Sequence, residues 1–543
     1  MRPDGMRGRD EGIEERVARR IIVALKSKPF TKQEFAKLKY RIAKEEGCKR
    51  VPRDHDIIKY LRDDEGDELL LLRSKGVRSA SGIYTVAVMT KPAKCPKDSP
   101  CDYCPGGVEC GTPQSYLGKE PALMRGVQLK FDPYEQVRYR LRQYEAIGHR
   151  PSKIQLIIMG GTFASTELDY QEWFVTRCIQ AMNDFPRRAP TKWRYLSRVQ
   201  EKNERAKFRC IGITMETRPD FANEPQVDRM IRLGCTMVEM GVQSLNNQIL
   251  KGVNRGHTVE DVLRATRILR DTGLKVGYHM MPGLPGSSIS QDLQDLRAIF
   301  EDERFKPDYL KIYPTLVIEG TELYKKWAKG EYRPLSCDQA ADLICWAHAF
   351  FPKWVRVSRI QRDVPAGIII DGVKKSNLRE IVENRLAAEG RSCKCIRCRE
   401  IGLASRRGKD LLGMNPKLTT TKYSAGGGTE IFMAVEDERL DVLIGFLRLR
   451  IPSSDAHRKE VAGNAIVREL HVYGMQIPVG ERHSMAFQHR GWGTLLLQSA
   501  ERMALEEYGL KKIVVLPGVG VRGYYRLRGY RRLPNSPFMR KEL

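Results

Sequence analysis

No stretch of this 543-residue chain approaches the roughly 20 consecutive apolar residues that a helical membrane span requires. The first twenty residues, MRPDGMRGRDEGIEERVARR, lack the apolar core of a signal peptide. A cytoplasmic location is therefore the default expectation. The 13 cysteines are not spread as an evenly cross-linked secreted scaffold would spread them; seven fall in two short clusters, Cys95 to Cys110 and Cys393 to Cys398. In a reducing compartment such clusters hold metal. Acidic residues are in deficit: 67 Asp plus Glu against 94 Lys plus Arg leave a formal charge of +27. Self-repulsion makes that excess a slight burden on folding, so a polyanionic partner is the economical explanation and a generally basic proteome the bland one. No internal repeat is visible.

What is present divides the chain. Its length calls for two or three domains, and 41% hydrophobic with 30% charged residues is a globular balance. From about Glu14 to Leu72 the pattern is helical, with Ile21, Ile22, Leu25 and then Phe35, Leu38, Ile42 at helix spacing and a basic outer face. That face reads either as solvated charge or as a nucleic-acid-binding module. From Gly82 short apolar runs alternate with helical stretches: TVAVM, IQLIIMGG, CIGITMET, MVEMGVQS, LKVGYHMM and YLKIYPTLV. The alternation predicts an α/β fold with a parallel sheet closed or partly closed as a barrel, its functional groups at the strand carboxyl ends. Those ends carry Gly160–Gly161, Glu216, Gln243–Ser244, His279 and Lys311. After Lys417 strand-like segments and one amphipathic helix predict a separate α+β domain, with a tight turn at Gly426 to Gly428. The expected boundaries are 1–80 for the basic helical region, 81–335 for the barrel, 336–415 for a helical linker and 416–543 for the last domain.

Two cysteine patterns carry chemistry. CPKDSPCDYCPGG sets Cys95, Cys101 and Cys104 as C-x(5)-C-x(2)-C after the first strand. Three thiolates hold three irons of a [4Fe–4S] cluster and leave the fourth open to a reactive ligand, S-adenosylmethionine (SAM) in radical SAM enzymes. A zinc ribbon with Cys110 as fourth ligand is the competing reading. In RSCKCIRCREIG, Cys393, Cys395 and Cys398 suit a structural zinc whose fourth ligand the sequence does not identify. Near the C-terminus FQHRGWGT precedes a helix, where free backbone N–H groups and the helix dipole favour a pyrophosphate.

The run CPKDSPCDYCPGG, TPQSYLGKEPALMRG, IMGGTF, METRPD, EMGVQS, HMMPGLPG and LKIYPTLVIEGTELY resembles the catalytic subunit of Elongator, in its archaeal-like single-chain form. With the C-terminal domain, the resemblance covers nearly all of the chain from Gly82 onward. It implies a radical SAM barrel, partial and TIM-like, followed by a GNAT acetyltransferase domain. It implies a tRNA uridine 5-carboxymethyltransferase that uses acetyl-CoA and SAM at the wobble position of the anticodon stem-loop. The resemblance sets Gly160 and Gly161 against the SAM amino acid moiety. It lines the acetyl-pantetheine channel with Glu469, Leu470, His471 and Val472 and gives the pyrophosphate to Trp492, Gly493 and Thr494. It places Tyr525, rather than Tyr524, near the thioester sulfur and links Lys153 to acetyl-CoA. Lys311 is a further candidate for polarising the thioester. Beside tRNA the reading admits a homo-oligomer or accessory subunits. A protein lysine acetyltransferase with a structural iron–sulfur domain is the alternative; it would keep turnover without Cys101 and Cys104. A non-catalytic tRNA-binding scaffold is a third reading, and would not cleave SAM.

Overall fold

The computed structural model describes the chain except residues 1–4, 28–29, 49, 62–71, 73–80, 188–189, 192–194, 410, 412 and 475–490, and the side chains of 5–11, 32 and 406. Three helices, Gly5–Ser27, Lys32–Glu45 and Asp54–Ile58, form an N-terminal unit with its own core around Val17, Ile21, Ile22, Leu38, Ile42 and Ile57. The second begins in a capping box, the Thr31 side chain accepting from the Glu34 N–H while Glu34 accepts from the Thr31 N–H.

The barrel sheet is wholly parallel. Its strands β1 (Tyr84–Met89), β2 (Lys153–Met159), β3 (Arg209–Thr217), β4 (Cys235–Gln243), β5 (Lys275–Met280) and β6 (Tyr309–Ile312) fall on the six expected segments. The short β7 (Val317–Ile318) pairs outside the barrel with β9 (Ile369–Asp371). Strand β8 (Arg356–Ile360) then joins β6 as the seventh barrel strand. The expected helical linker of 336–415 is corrected here: its first part completes the barrel. RVSRI is too short and too charged to stand out as a buried strand by pattern. Alternation along β2 shows how the sequence builds the lumen. Ile154, Leu156 and Ile158 are fully buried beneath the helical layer, while Gln155, Ile157 and Met159 face inward and line a cavity. Strands β1 and β8 are not paired to each other, so the barrel is open.

The C-terminal domain is a seven-stranded mixed sheet in the order β10 (Lys417–Ala425), β11 (Gly428–Asp437), β12 (Val442–Ile451), β13 (Ala465–Val472), β14 (Lys512–Val515), β16 (Met539–Glu542), β15 (Arg531–Arg532). The expected turn joins β10 to β11 through Gly426 and Gly427, both at positive φ. Helix Trp492–Glu506 crosses between β13 and β14, which run parallel and pair only at Ala465–Val467 with Ile513–Val515. Beyond Val467 the two strands part.

The two sheets share one continuous core. The C-terminal domain sits against the amino-terminal ends of the barrel strands. Gly518 lies so close to β3 that a Cβ there would come 1.9 Å from the Ile211 carbonyl oxygen. The seam is ionic and dry. Asp308 accepts from Arg468 at 2.6 and 2.9 Å, Arg450 reaches Asp271 at 2.6 Å, Arg270 reaches Glu430 at 3.0 Å and Arg448 reaches Glu469 at 2.9 Å. Four guanidinium groups thus meet four carboxylates, all of them buried.

Candidate active site

A cavity of about 890 Å³ runs through the barrel lumen. One end is lined by Cys95, Cys101 and Cys104, beyond the carboxyl ends of the strands. The other is lined by Glu469, Leu470, His471, Leu516, Pro517, Gly518 and Tyr525 of the C-terminal domain. The structure therefore brings both groups of expected site residues onto one space. The expectation that functional groups gather at the strand carboxyl ends holds for half of it. The other half lies at the amino ends, where the C-terminal domain closes an open barrel.

At the cysteine end the surroundings fit an iron–sulfur cluster. The Cys101 sulfur faces Arg255 Nη1 at 3.7 Å and Lys97 Nζ at 3.5 Å. Burial pushes its thiol up, but these two cations more than offset that and lower it. Cys104, raised chiefly by burial, contacts Ser115 Oγ at 3.3 Å. Cys110 is exposed, in a short turn away from the cavity lining, which removes the expected fourth ligand of a zinc ribbon. Gly160 and Gly161 line the same cavity at φ +136° and +88°, and a Cβ on Gly160 would meet Thr90 Oγ1 at 1.9 Å. Thr217 Oγ1, Arg218 Nη1 and Gln243 Oε1 are buried here without partners among the described residues, and all three residues line the cavity. Unspent polar atoms beside a glycine cradle fit a polar ligand such as SAM.

Midway along the lumen, Lys311 is tied to Glu239 at 2.5 Å with Glu216 at 3.8 Å, and His279 Nε2 lies 3.5 Å from Glu239. Burial alone would lower the Lys311 ammonium, but Glu239 reverses this and holds it cationic. Lys311 is thus a committed partner of a carboxylate. Glu216, Glu239 and His279 bring ligand atoms within 4.8 Å of one another, yet Lys311 already supplies a cation to that group.

In the C-terminal domain the Glu469 carboxylate accepts from Arg448 and, at 2.5 Å, from Tyr309 Oη of the barrel. His471 contacts the Ser81 carbonyl at 2.8 Å, ahead of β1. Val472 ends β13 outside the cavity lining. Tyr525 lines the cavity and is 7% exposed, its phenol raised by burial. Tyr524 instead lies under the Arg528 guanidinium, 3.5 Å from its ring centre, and against Gly493. Helix Trp492–Glu506 starts at Gly491 (φ +90°), with Trp492, Gly493 and Thr494 in its first turn. Phe487, Gln488, His489 and Arg490 of the glycine motif lie outside the described residues. Lys153 opens β2 but does not line the cavity; burial lowers its amine to about 8. The Cys393, Cys395 and Cys398 sulfurs lie within 4.8 Å of one another and are largely buried, a donor set that fits a tetrahedral metal. Sequence reasoning missed Arg255 and Lys275, lone cations outside the quoted chemical motifs, and passed over Lys97, which lies within CPKDSPC.

Three cysteines and a glycine pair lining one cavity at the carboxyl ends of a parallel barrel are the arrangement of a radical SAM protein. Residues 90–298 match the Radical SAM superfamily and residues 307–388 the radical SAM C-terminal domain. The chain is 49% identical over 500 residues to tRNA uridine(34) acetyltransferase of Methanocaldococcus infernus, covering 91% of this chain and 92% of that protein. It is 42% identical over 518 residues to Elongator complex protein 3 of Schizosaccharomyces pombe, covering 93% and 94%. The solved structure of the archaeal Methanocaldococcus infernus Elp3 with an N-terminal deletion (1–46) superposes with a TM-score of 0.74 at 45% identity, over 85% of this chain and all of that one. The chain belongs to the family of tRNA uridine(34) acetyltransferases and Elongator complex protein 3. Among the described residues no helix is long and apolar enough to cross a membrane.

Proposed function

We propose that this protein carboxymethylates carbon 5 of the wobble uridine of tRNA, forming 5-carboxymethyluridine from acetyl-CoA with SAM. The observation that carries the reading is the single cavity joining the three thiols to Glu469, His471 and Tyr525. A lysine acetyltransferase with an inert barrel has no use for that connection. The relatives' names, which specify uridine 34 of tRNA, support the substrate, and the charge of +27 supports a polyanion. The wobble base leaves its stack to reach the lumen, as other modified bases do, and the N-terminal helices offer basic side chains to the RNA.

Cys95, Cys101 and Cys104 would hold the [4Fe–4S] cluster, which with SAM supplies a 5′-deoxyadenosyl radical. Gly160 and Gly161, whose positive φ and close packing on Thr90 and Gln114 favour glycine, would present their backbone to the SAM amino acid group. The C-terminal domain is read as a GNAT fold. The parting of β13 from β14 leaves room for the pantetheine arm, and the helix at Trp492, Gly493 and Thr494 receives the pyrophosphate. Lys153 is read as a contact of acetyl-CoA. Tyr525, kept protonated by burial, donates to the leaving thiolate. Cys393, Cys395 and Cys398 hold a zinc that braces the region between barrel and GNAT domain.

The test is anaerobic incubation of reduced, cluster-loaded protein with tRNA, SAM and acetyl-CoA, followed by nucleoside mass spectrometry. The expected product is 5-carboxymethyluridine; its absence from cluster-replete protein overturns the proposal.

A further inference from the structure

Lys275 opens β5 at the amino-terminal end of the barrel, in register with Met237 of β4, and lines the cavity where the lumen meets the C-terminal domain. Two half-buried lysines on barrel strands line this lumen, and they differ. Lys311 is spent on Glu239. Among the described residues the Lys275 side chain has no carboxylate within ion-pairing distance and no hydrogen bond, and it is half-buried. The carboxylates whose field reaches it are Glu469 and Asp308. Both are held by others: Glu469 accepts from Tyr309 and Arg448, and Asp308 accepts from Arg468. An ammonium on a cavity wall beside two satisfied carboxylates is an unspent donor.

We propose that Lys275 binds the carbonyl oxygen of the acetyl group of acetyl-CoA, and so is a catalytic residue of the thioester half of the reaction. The assignment rests on the function proposed above and names a group within it. The pantetheine arm, passing between β13 and β14, delivers its thioester beside Glu469, Leu516 and Tyr525. Lys275 projects from the facing barrel wall onto the same space. A cation fixed at the carbonyl oxygen stabilises the negative charge that gathers there when water attacks the thioester carbon, and Tyr525 stands on the cavity wall to protonate the departing sulfur. Burial disfavours the lone ammonium and lowers its pKa, and an acceptor oxygen brought to it relieves that cost. The division of labour between the lysines follows: Lys311 neutralises carboxylates in mid-lumen, and Lys275 is reserved for substrate.

The experiment uses the full-length, cluster-loaded protein and acetyl-CoA labelled with carbon-13 at the carbonyl. The isotope-edited infrared band of the bound thioester should lie at lower frequency than that of free acetyl-CoA. In Lys275→Met the shift should vanish, and in Lys275→Arg part of it should remain. Turnover to 5-carboxymethyluridine should fall about 10²- to 10³-fold in Lys275→Met, mainly in kcat, as for loss of one oxyanion donor. A band at the free frequency in the wild-type protein, or Lys275→Met turning over within about twofold of wild type, overturns the assignment. Should Lys275→Met fold poorly, the wild-type band and the Lys275→Arg variant still decide. A shifted band in a wild-type protein that makes no 5-carboxymethyluridine would sink the proposed product and leave the role of Lys275 standing.

Discussion

Replacing Asp308 by Asn tests whether the ionic seam joins the two halves. Asp308 is fully buried at the start of β6 and accepts from Arg468 through both oxygens and from the Val276 N–H at 2.9 Å, with Arg448 and Arg270 at 3.5 and 3.7 Å. Burial alone would raise its carboxyl pKa, but Arg468, Arg270 and Arg448 more than reverse that and hold it far below the usual value. Asn fills the same volume, so no cavity opens. It leaves four guanidinium groups facing three carboxylates and turns an amide N–H₂ toward an arginine. Removing one partner of a buried ion pair costs about 3–5 kcal/mol, which should lower the melting midpoint of a chain this long by about 3–5 °C. Thermal unfolding followed by circular dichroism measures it. The exposed pair of Lys325 with Glu322 is the control, and Glu322→Gln should shift stability by no more than about 0.5 kcal/mol. Because the folded-state pKa is depressed, the contribution of Asp308 is present above about pH 4 and fades as the pH falls below it. The gap between wild type and variant should therefore stay level from about pH 5 to 8 and narrow in acid. A midpoint shift of about 2 °C or less at neutral pH would refute the charge accounting at the seam.

Three further outcomes are expected. Cys101→Ser should lose most cluster iron and abolish release of 5′-deoxyadenosine from SAM, read by iron assay and chromatography; normal iron and cleavage would point to other ligands. Gly160→Ala places a Cβ onto Thr90 Oγ1 at a strained φ. It should cost about 1–3 kcal/mol and weaken SAM binding in a titration; unchanged affinity would remove the glycine pair from the SAM site. Cys395→Ser should cost the protein its zinc, about one equivalent by elemental analysis of the wild type, together with thermal stability. Equal zinc in variant and wild type would dismiss the second cysteine cluster as a metal site.

The sequence revealed what is local. Apolar runs such as IQLIIMGG marked six barrel strands because each packs one face beneath helices and turns the other into the lumen, and the alternation of strands with helices predicted a parallel sheet. Close spacing of Cys393, Cys395 and Cys398 in the chain brings their sulfurs together in space, since so few residues intervene. Strand β8 escaped because RVSRI, polar on the lumen side, carries too little pattern. The seam escaped for another reason: Arg468 meets Asp308, and Arg450 meets Asp271, across gaps of 160 and 179 residues that no periodicity records. Lys311 and Lys275 make the sharpest case. Both are lysines on inward-facing strand positions, and motif context singled out Lys311. What separates them is the neighbour each meets, Glu239 at 2.5 Å for one and no carboxylate in reach for the other. A buried cation becomes available for chemistry only when its counter-charges are already taken, and here Arg448, Tyr309 and Arg468 take them. The arginines of the seam thus both fasten the C-terminal domain to the barrel and leave Lys275 unneutralised. On this reasoning Asp308→Asn should damage the thioester half of the reaction before it disturbs the cluster at the far end of the lumen.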